Sequence, residues 1–268
     1  MHVERKTWGQ VNGLNSELLI IKCENTGFEV HLTDIGASIV RVRMPDKTGD
    51  ITDIHYGRAN PQAIYDNEDN GYLGSVVGRV ASLISFGQFE LNGKKYKLTP
   101  NMLGIHTQHG GAKGFNTKLW NIDNVDENDN QVSVGFRYIS VDGEEGFPGR
   151  LTTSVLYTIT ESMELSWEFR ATSDKTTIVN LINHAYWNLD GFGHSINDLH
   201  LKIAASKYQH LKMGRLIVES IAHKLHIKRK HGYIAYDIRD CKENGLDFNE
   251  FKSLEEHLND RGDLDHIF

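Results

Sequence analysis

Two stretches of this chain carry residue types that can exchange protons or hydrogen bonds with a small polar ligand. The first is His106-Thr107-Gln108-His109-Gly110-Gly111. Two histidines three apart can ligate zinc when a third ligand arrives from elsewhere. No third ligand is evident, since Cys23 and Cys241 lack partners nearby in sequence. The paired glycines point instead to a backbone that turns sharply and lets a ligand come close. The second stretch runs from Asn180 to Gly191. An apolar run (Ile178, Val179, Leu181, Ile182) feeds a cluster of amides, His184, Tyr186 and Trp187, and stops at glycine. That pattern predicts a strand entering a core and delivering polar groups at its end. The rings would make a wall for something flat and polar, such as a sugar, and the amides and imidazole would bond its hydroxyls. The competing reading is that these polar groups satisfy one another and do nothing else.

Other loops carry less chemistry. Asp142-Gly143-Glu144-Glu145-Gly146-Phe147-Pro148-Gly149 reads as a tight structural loop before a strand at Leu151. Asp123 to Asn130 resembles a calcium loop only in composition. It lacks the glycine at the sixth position and the glutamate at the twelfth, so it is expected to be a hairpin tip. There is no glycine-rich phosphate cradle, nucleophile elbow or Cys-x-x-Cys motif, and no metal or other cofactor is expected.

The elements that must position these groups are mostly strands. Glu17–Cys23, Phe28–Asp34, Ser38–Met44, Gln131–Ile139, Leu151–Thr160 and Glu164–Thr172 alternate in period two. Ser38–Met44 is expected to turn Ile39, Arg41 and Arg43 to one face and Val40, Val42 and Met44 to the other. Gln88–Leu98 reads as a hairpin about Asn92-Gly93, a pair that accepts the positive φ of a two-residue turn. Helical signals are few: one turn at Pro61–Tyr65, and Asn249–Leu258 with Asn249 as cap. Many strands with almost no helix between them predict an all-β fold, a large antiparallel β-sandwich, and the absence of repeats or linkers predicts a single domain over residues 1–268.

At 268 residues, 39% hydrophobic and 24% charged, the chain can bury a substantial core. A net charge of −7 argues against a nucleic-acid surface. The basic run from His223 to His231 is short and reads as a solvated strand or loop. Two cysteines do not make a disulfide framework, and no stretch matches a signal peptide or membrane span. Cytoplasmic localisation is the expectation.

Taken together the motifs resemble the aldose 1-epimerase (galactose mutarotase) family. Gly78-Arg79-Val80-Ala81, Gly87-Gln88-Phe89 and Leu91 to Leu98 look like one family segment. His109-Gly110-Gly111 with Gly114-Phe115 and Trp120, the Asp142–Gly149 loop, Asn180 to Leu189, and Asp265-His266-Ile267-Phe268 look like four more, in the family's order. The resemblance implies a β-sandwich with an open sugar cleft, no cofactor, and interconversion of the α and β anomers of hexoses by acid–base ring opening. It assigns His184 as general acid and His109 as the histidine that holds the sugar near its ring oxygen. Asp265 binds sugar hydroxyls and Tyr186 lines the cleft. Ser82 stands where the family has an asparagine and is kept as a substrate-binding candidate.

Two family features have no match here. Ser82-Leu83 replaces an Asn-Arg pair, and Arg79, about 13 Å away if the segment is extended, does not replace that arginine. The chain stops at Phe268, before the strands and the glutamate that supplies the family's general base, so no base is identified. These departures leave three expectations: an epimerase of reduced activity, a non-catalytic sugar-binding or regulatory relative, and a metalloenzyme using His106 and His109. The expected partner is a small-molecule hexose, with no nucleic acid or membrane, and the chain is expected as a monomer or weak dimer.

Overall fold

A computed structural model gives the fold and describes residues 1–211, 236–261 and 268. Asp265 and the basic run 223–231 lie outside the described residues. Strands β1 (His2–Val11), β2 (Leu14–Lys22), β3 (Glu29–Thr33), β4 (Ser38–Pro45) and β5 (Ile51–Asp53) form one antiparallel sheet in chain order. Asn121–Glu127, Gln131–Ser140, Leu151–Thr160 and Leu165–Ser173 form a second. Leu19, Ile21, Val30, Leu32 and Ile39 from the first sheet meet Val132, Val134, Phe136, Val155, Tyr157 and Ile159 from the second in one core. Each such side chain contributes roughly 1.5–3 kcal/mol by leaving water. Tyr157 is fully buried, and its hydroxyl donates to the Ala37 carbonyl at 2.7 Å, linking the two layers. The fold is an all-β antiparallel sandwich with little helix, as expected.

Period-two patterning located most of the long strands, and the Asn92-Gly93 hairpin forms with φ of 52° and 74°. β1 was not anticipated, although Asn12-Gly13, at φ 51° and 79°, is the same turn signal. The expected facing of β4 is broken by a bulge. His31 pairs with Arg41 but Leu32 with Ile39, so Val40 is the extra residue, and Ile39 and Val42 both enter the core. Most of Asp123–Asn130 is strand rather than tip. Only Asn128–Asn130 turns, with the Asn128 carboxamide oxygen accepting from the Asn130 and Gln131 amides.

The second expected helix starts later, at Leu254–Arg261. Lys252–Ser253 pairs with His200–Leu201 instead, and Asn249 bonds Asp247 and the Ala205 carbonyl rather than capping. The first helix, α1 (Pro61–Asp66), is capped by Asn60, whose side chain accepts from the Ala63 amide at 2.9 Å, and it ends on Asn67 in the left-handed region. No helix among the described residues is long and apolar enough to cross a membrane. Cys23 and Cys241 are both buried free thiols.

Candidate active site

Of the histidines singled out in the sequence, His109 and His184 each lie just past the end of a short two-stranded ladder. Thr107–Gln108 pairs with Leu83–Ile84, and His109 then faces Ser82. The His109 amide donates to the Ser82 carbonyl at 3.0 Å, and the Ser82 amide donates to His109 Nδ1 at 3.1 Å. Both residues adopt positive φ, 67° at Ser82 and 50° at His109, a conformation uncommon for residues with a side chain. On the other side Ile182–Asn183 pairs with Val76–Val77. The His184 amide continues that ladder by donating to the Ser75 carbonyl at 2.8 Å, and the Gly74 amide donates to the His184 carbonyl at 2.9 Å.

These ladders bring the two imidazoles edge to face, with ring centroids 5.0 Å apart. Tyr72 packs on both, at 4.7 Å from His109 and 5.8 Å from His184, and Tyr186 lies 5.2 Å from His184. Tyr72 was missed in the sequence. Its placement depends on α1, because the Asn67 side chain that follows the helix accepts the Tyr72 amide at 2.8 Å. Asn101, also missed, donates from its amide to the Tyr72 hydroxyl at 3.4 Å and to the Gln108 and Gly111 carbonyls at 2.9 and 3.1 Å. Both precede quoted motifs, and only the glycines flanking Tyr72, Gly71 and Gly74, hint at special backbone there.

His109 is almost wholly buried, and burial pushes its pKa down to about 4, with His184 adding a smaller push in the same direction. The ring is therefore neutral near pH 7. Since Nδ1 accepts a hydrogen bond, the proton of the neutral ring sits on Nε2. His109 is a fixed N–H donor rather than an acid. His184 is half-buried and is the more accessible imidazole of the pair.

The paired glycines after His109 do permit close approach, but it is the chain itself that approaches. A Cβ on Gly110 would lie 1.7 Å from the Gly78 carbonyl oxygen, and one on Gly111 would lie 2.4 Å from Glu145 Oε2. Glu145 Oε2 also accepts the Ala112 amide at 2.9 Å. The Asp142–Gly149 loop thus acts as a brace, and Glu144 bonds Tyr138, Ser140 and Lys118. His106 is buried away from this pair and its Nδ1 accepts the Phe86 amide at 3.0 Å, so the two histidines serve different backbone amides.

The Asn180–Gly191 stretch divides between the two readings given to it. It is not a core strand: Ile182 is exposed, its one regular pairing is Ile182–Asn183, and Asn180 and Trp187 make isolated bridges to Val80 and His55. Asn183 donates to the Gly74 carbonyl and the Tyr157 hydroxyl at 2.8 and 2.9 Å, while Asn188 donates to the Gly191 and His194 carbonyls. These two amides hold the segment's shape. The aromatics also separate, for Tyr186 lies against His184 whereas Trp187 meets His55, 5.2 Å away. The Arg79 side chain is committed elsewhere than the histidine pair. It is buried and donates to Ser140 Oγ and to the Ser140, Val141 and Pro148 carbonyls at 2.8–3.1 Å.

The sequence model of the aldose 1-epimerase family matches residues 20–268. This chain belongs to the aldose 1-epimerase family. It is 36% identical over 184 residues to the aldose 1-epimerase of Escherichia coli K12, covering 69% of this chain and 51% of that protein. It is 40% identical over 164 residues to the galactose mutarotase of Bos taurus, covering 61% and 45%. The chain thus spans about half the length of the curated relatives it matches. A solved structure of galactose 1-epimerase from Lactobacillus acidophilus NCFM superposes with a TM-score of 0.78 at 22% identity, over 99% of this chain and 73% of that one, a likeness of fold.

Proposed function

We propose that this chain carries the hexose cleft of an aldose 1-epimerase and acts in the interconversion of α and β anomers. The observation behind the reading is the meeting of His109 and His184 at 5.0 Å beneath Tyr72 and Tyr186. In this reading the Nε2–H of neutral His109 holds the sugar at its ring oxygen or a neighbouring hydroxyl. Protonated His184 gives its proton to the ring oxygen while water takes the proton of the C1 hydroxyl, and both transfers reverse on closure. The ring opens to the aldehyde, C1 rotates, and closure returns either anomer. An imidazole suits this exchange because its ordinary pKa of about 6.5 lets it lend and recover a proton near neutrality. Tyr186 supplies an apolar face for the sugar, and Ser82 fixes His109 through its backbone. Asp265 is assigned to sugar hydroxyls on motif alone, and no residue is assigned as the base.

A second reading, sugar binding without turnover, is favoured by one observation. The resemblance puts Ser82-Leu83 where the family has its Asn-Arg pair, and Arg79 is committed to the Ser140, Val141 and Pro148 carbonyls. Polarimetry of freshly dissolved α-D-galactose and α-D-glucose separates the two. The expected result is acceleration over water that falls by about 10²–10⁴ in His184→Ala. Saturable hexose binding without acceleration would move the assignment to the binding reading. Acceleration that persists in His184→Ala would remove His184 from the mechanism.

A further inference from the structure

Among the described residues the two large sheets end in four edge strands, and three of the four are blunted. β1 carries a bulge at Trp8, Asn121–Glu127 carries one at Asp123, and β5 is only three residues long. Bulges and short strands stop an edge from recruiting a further strand. Leu165–Ser173 has neither device. Its nine residues pair in unbroken register with Leu151–Thr160, and it contains no proline. Among the described residues no backbone hydrogen bond reaches its outer side.

The direction of its free backbone groups follows from its two ends. The Thr160 amide donates to the Glu164 carbonyl at 3.0 Å, and the Asp174 amide donates to the Arg150 carbonyl at 3.3 Å. Hydrogen-bonded pairs alternate along an antiparallel ladder. The even-numbered residues therefore turn their amides and carbonyls toward the neighbouring strand, and Leu165, Trp167, Phe169, Ala171 and Ser173 turn theirs outward. Leu165, Trp167 and Phe169 are half-buried against the core, while Ser166, Glu168, Arg170 and Thr172 are exposed on the opposite face. On that face Arg170 Nε donates to Glu168 at 2.8 Å.

We propose that this edge pairs with the same edge of a second copy of the chain, as an antiparallel two-fold dimer centred on Phe169. In that register the outward groups of Phe169 meet those of Phe169 in the second copy, Trp167 meets Ala171, and Leu165 meets Ser173. Glu168 then lies directly opposite Arg170 of the second copy, and Arg170 opposite its Glu168. These are non-hydrogen-bonded pairs, where facing side chains come closest. With the pair inside each strand they close a ring of four alternating charges. Moving the two-fold axis to residue 168 or 170 would set Glu168 on Glu168 or Arg170 on Arg170. The charge pattern thus selects both the partner and the register. Glu164 and Asp174, which carry like charge, come opposite only beyond the ladder at each end, where Asp174 already accepts the Arg150 amide at 2.8 Å. A two-fold contact is closed, so assembly ends at two copies. The inference is independent of the hexose reading.

The test is sedimentation velocity of the full chain over a concentration series. The unaltered chain is expected to dimerise. Arg170→Glu turns both cross pairs into like charges at an exposed position and should weaken the dimer about tenfold or more. Adding Glu168→Arg restores opposite charges and should restore the dimer. Ala171→Pro removes an outward amide that the neighbouring strand does not use, a place where an edge strand tolerates proline. It should leave a folded monomer with unchanged circular dichroism. An unaltered chain that stays monomeric leaves the edge to a strand of some other protein and overturns the proposal. So does a charge-swapped double variant that stays dissociated, or a dimer that Arg170→Glu or Ala171→Pro does not weaken.

Discussion

His109 stands on a loop hemmed in by its own backbone, whereas His184 stands on one that leaves large apolar side chains in the open. The Gly78 carbonyl, the Ser82 amide and the Glu145 carboxylate all press on the segment from His109 to Ala112. The segment after His184 has Tyr186 and Trp187 41% exposed and Leu189 64% exposed, and short pairings and two structural asparagines hold it. The difference fits a division of labour. A group that positions a ligand by one fixed N–H gains from burial and a locked tautomer. A group that must change its protonation state has to keep contact with the cleft.

The sharpest way to break this contrast is to force the tight side apart. Gly110→Ala would drive a Cβ into the Gly78 carbonyl at a φ of 92°. Backbone cannot step aside as a flexible side chain can, so the cost should reach about 4–5 kcal/mol, at the upper end for single substitutions. The expected outcome is a large fall in melting temperature together with loss of hexose binding. Gly193→Ala, where an added Cβ meets nothing, is the matching change on the open side and should be almost silent. Equal tolerance at the two positions would dissolve the comparison.

A smaller effect comes from protons. The folded pKa of His109 is about 4 against an ordinary 6.5, so between those values the unfolded chain binds the proton and the folded chain does not. Stability therefore rises with pH through this window. The His109 contribution is complete above about pH 7 and is lost as pH falls toward 4, by about 3 kcal/mol at most. His55, pushed down to about 4 mainly by burial, acts in the same window and sense. Melting temperatures taken from pH 7 to pH 4 should fall, and the fall should be shallower in His109→Asn. An identical profile in that variant would mean that the buried ring is not the titrating group.

Much of this was legible in the sequence. Alternation exposed the long strands because one face of each is buried, and the paired glycines signalled a close approach, though what approaches is the Gly78 backbone and the Glu145 side chain rather than a ligand. His109 and His184 were legible through their flanking motifs. The positions that escaped depend on contacts remote in sequence. Tyr72 reaches the pair only because α1 ends where Asn67 can hold its amide, and the β4 bulge at Val40 is set by pairing with β3. Asn183 and Asn188 looked like ligand-binding amides because their types suit both tasks. Only the location of their carbonyl partners decides between them.

The finest probe of the tight side is its brace. Glu145 Oε2 accepts the Ala112 amide at 2.9 Å from a loop that is itself pinned by the Gly143 and Phe147 backbone. Glu145→Ala removes this charged acceptor and leaves the Ala112 amide to water, which should cost about 1–2 kcal/mol. The Ser82 contacts to His109 remain, so the ring keeps its tautomer while the loop behind it loosens. The expected result is a hexose affinity reduced several-fold with the pH dependence of any mutarotation unchanged, read by titration calorimetry and polarimetry on the same preparations. A shifted pH profile would mean instead that the Glu145 charge acts on the proton-transfer step itself, and the division between a positioning side and an exchanging side would no longer hold.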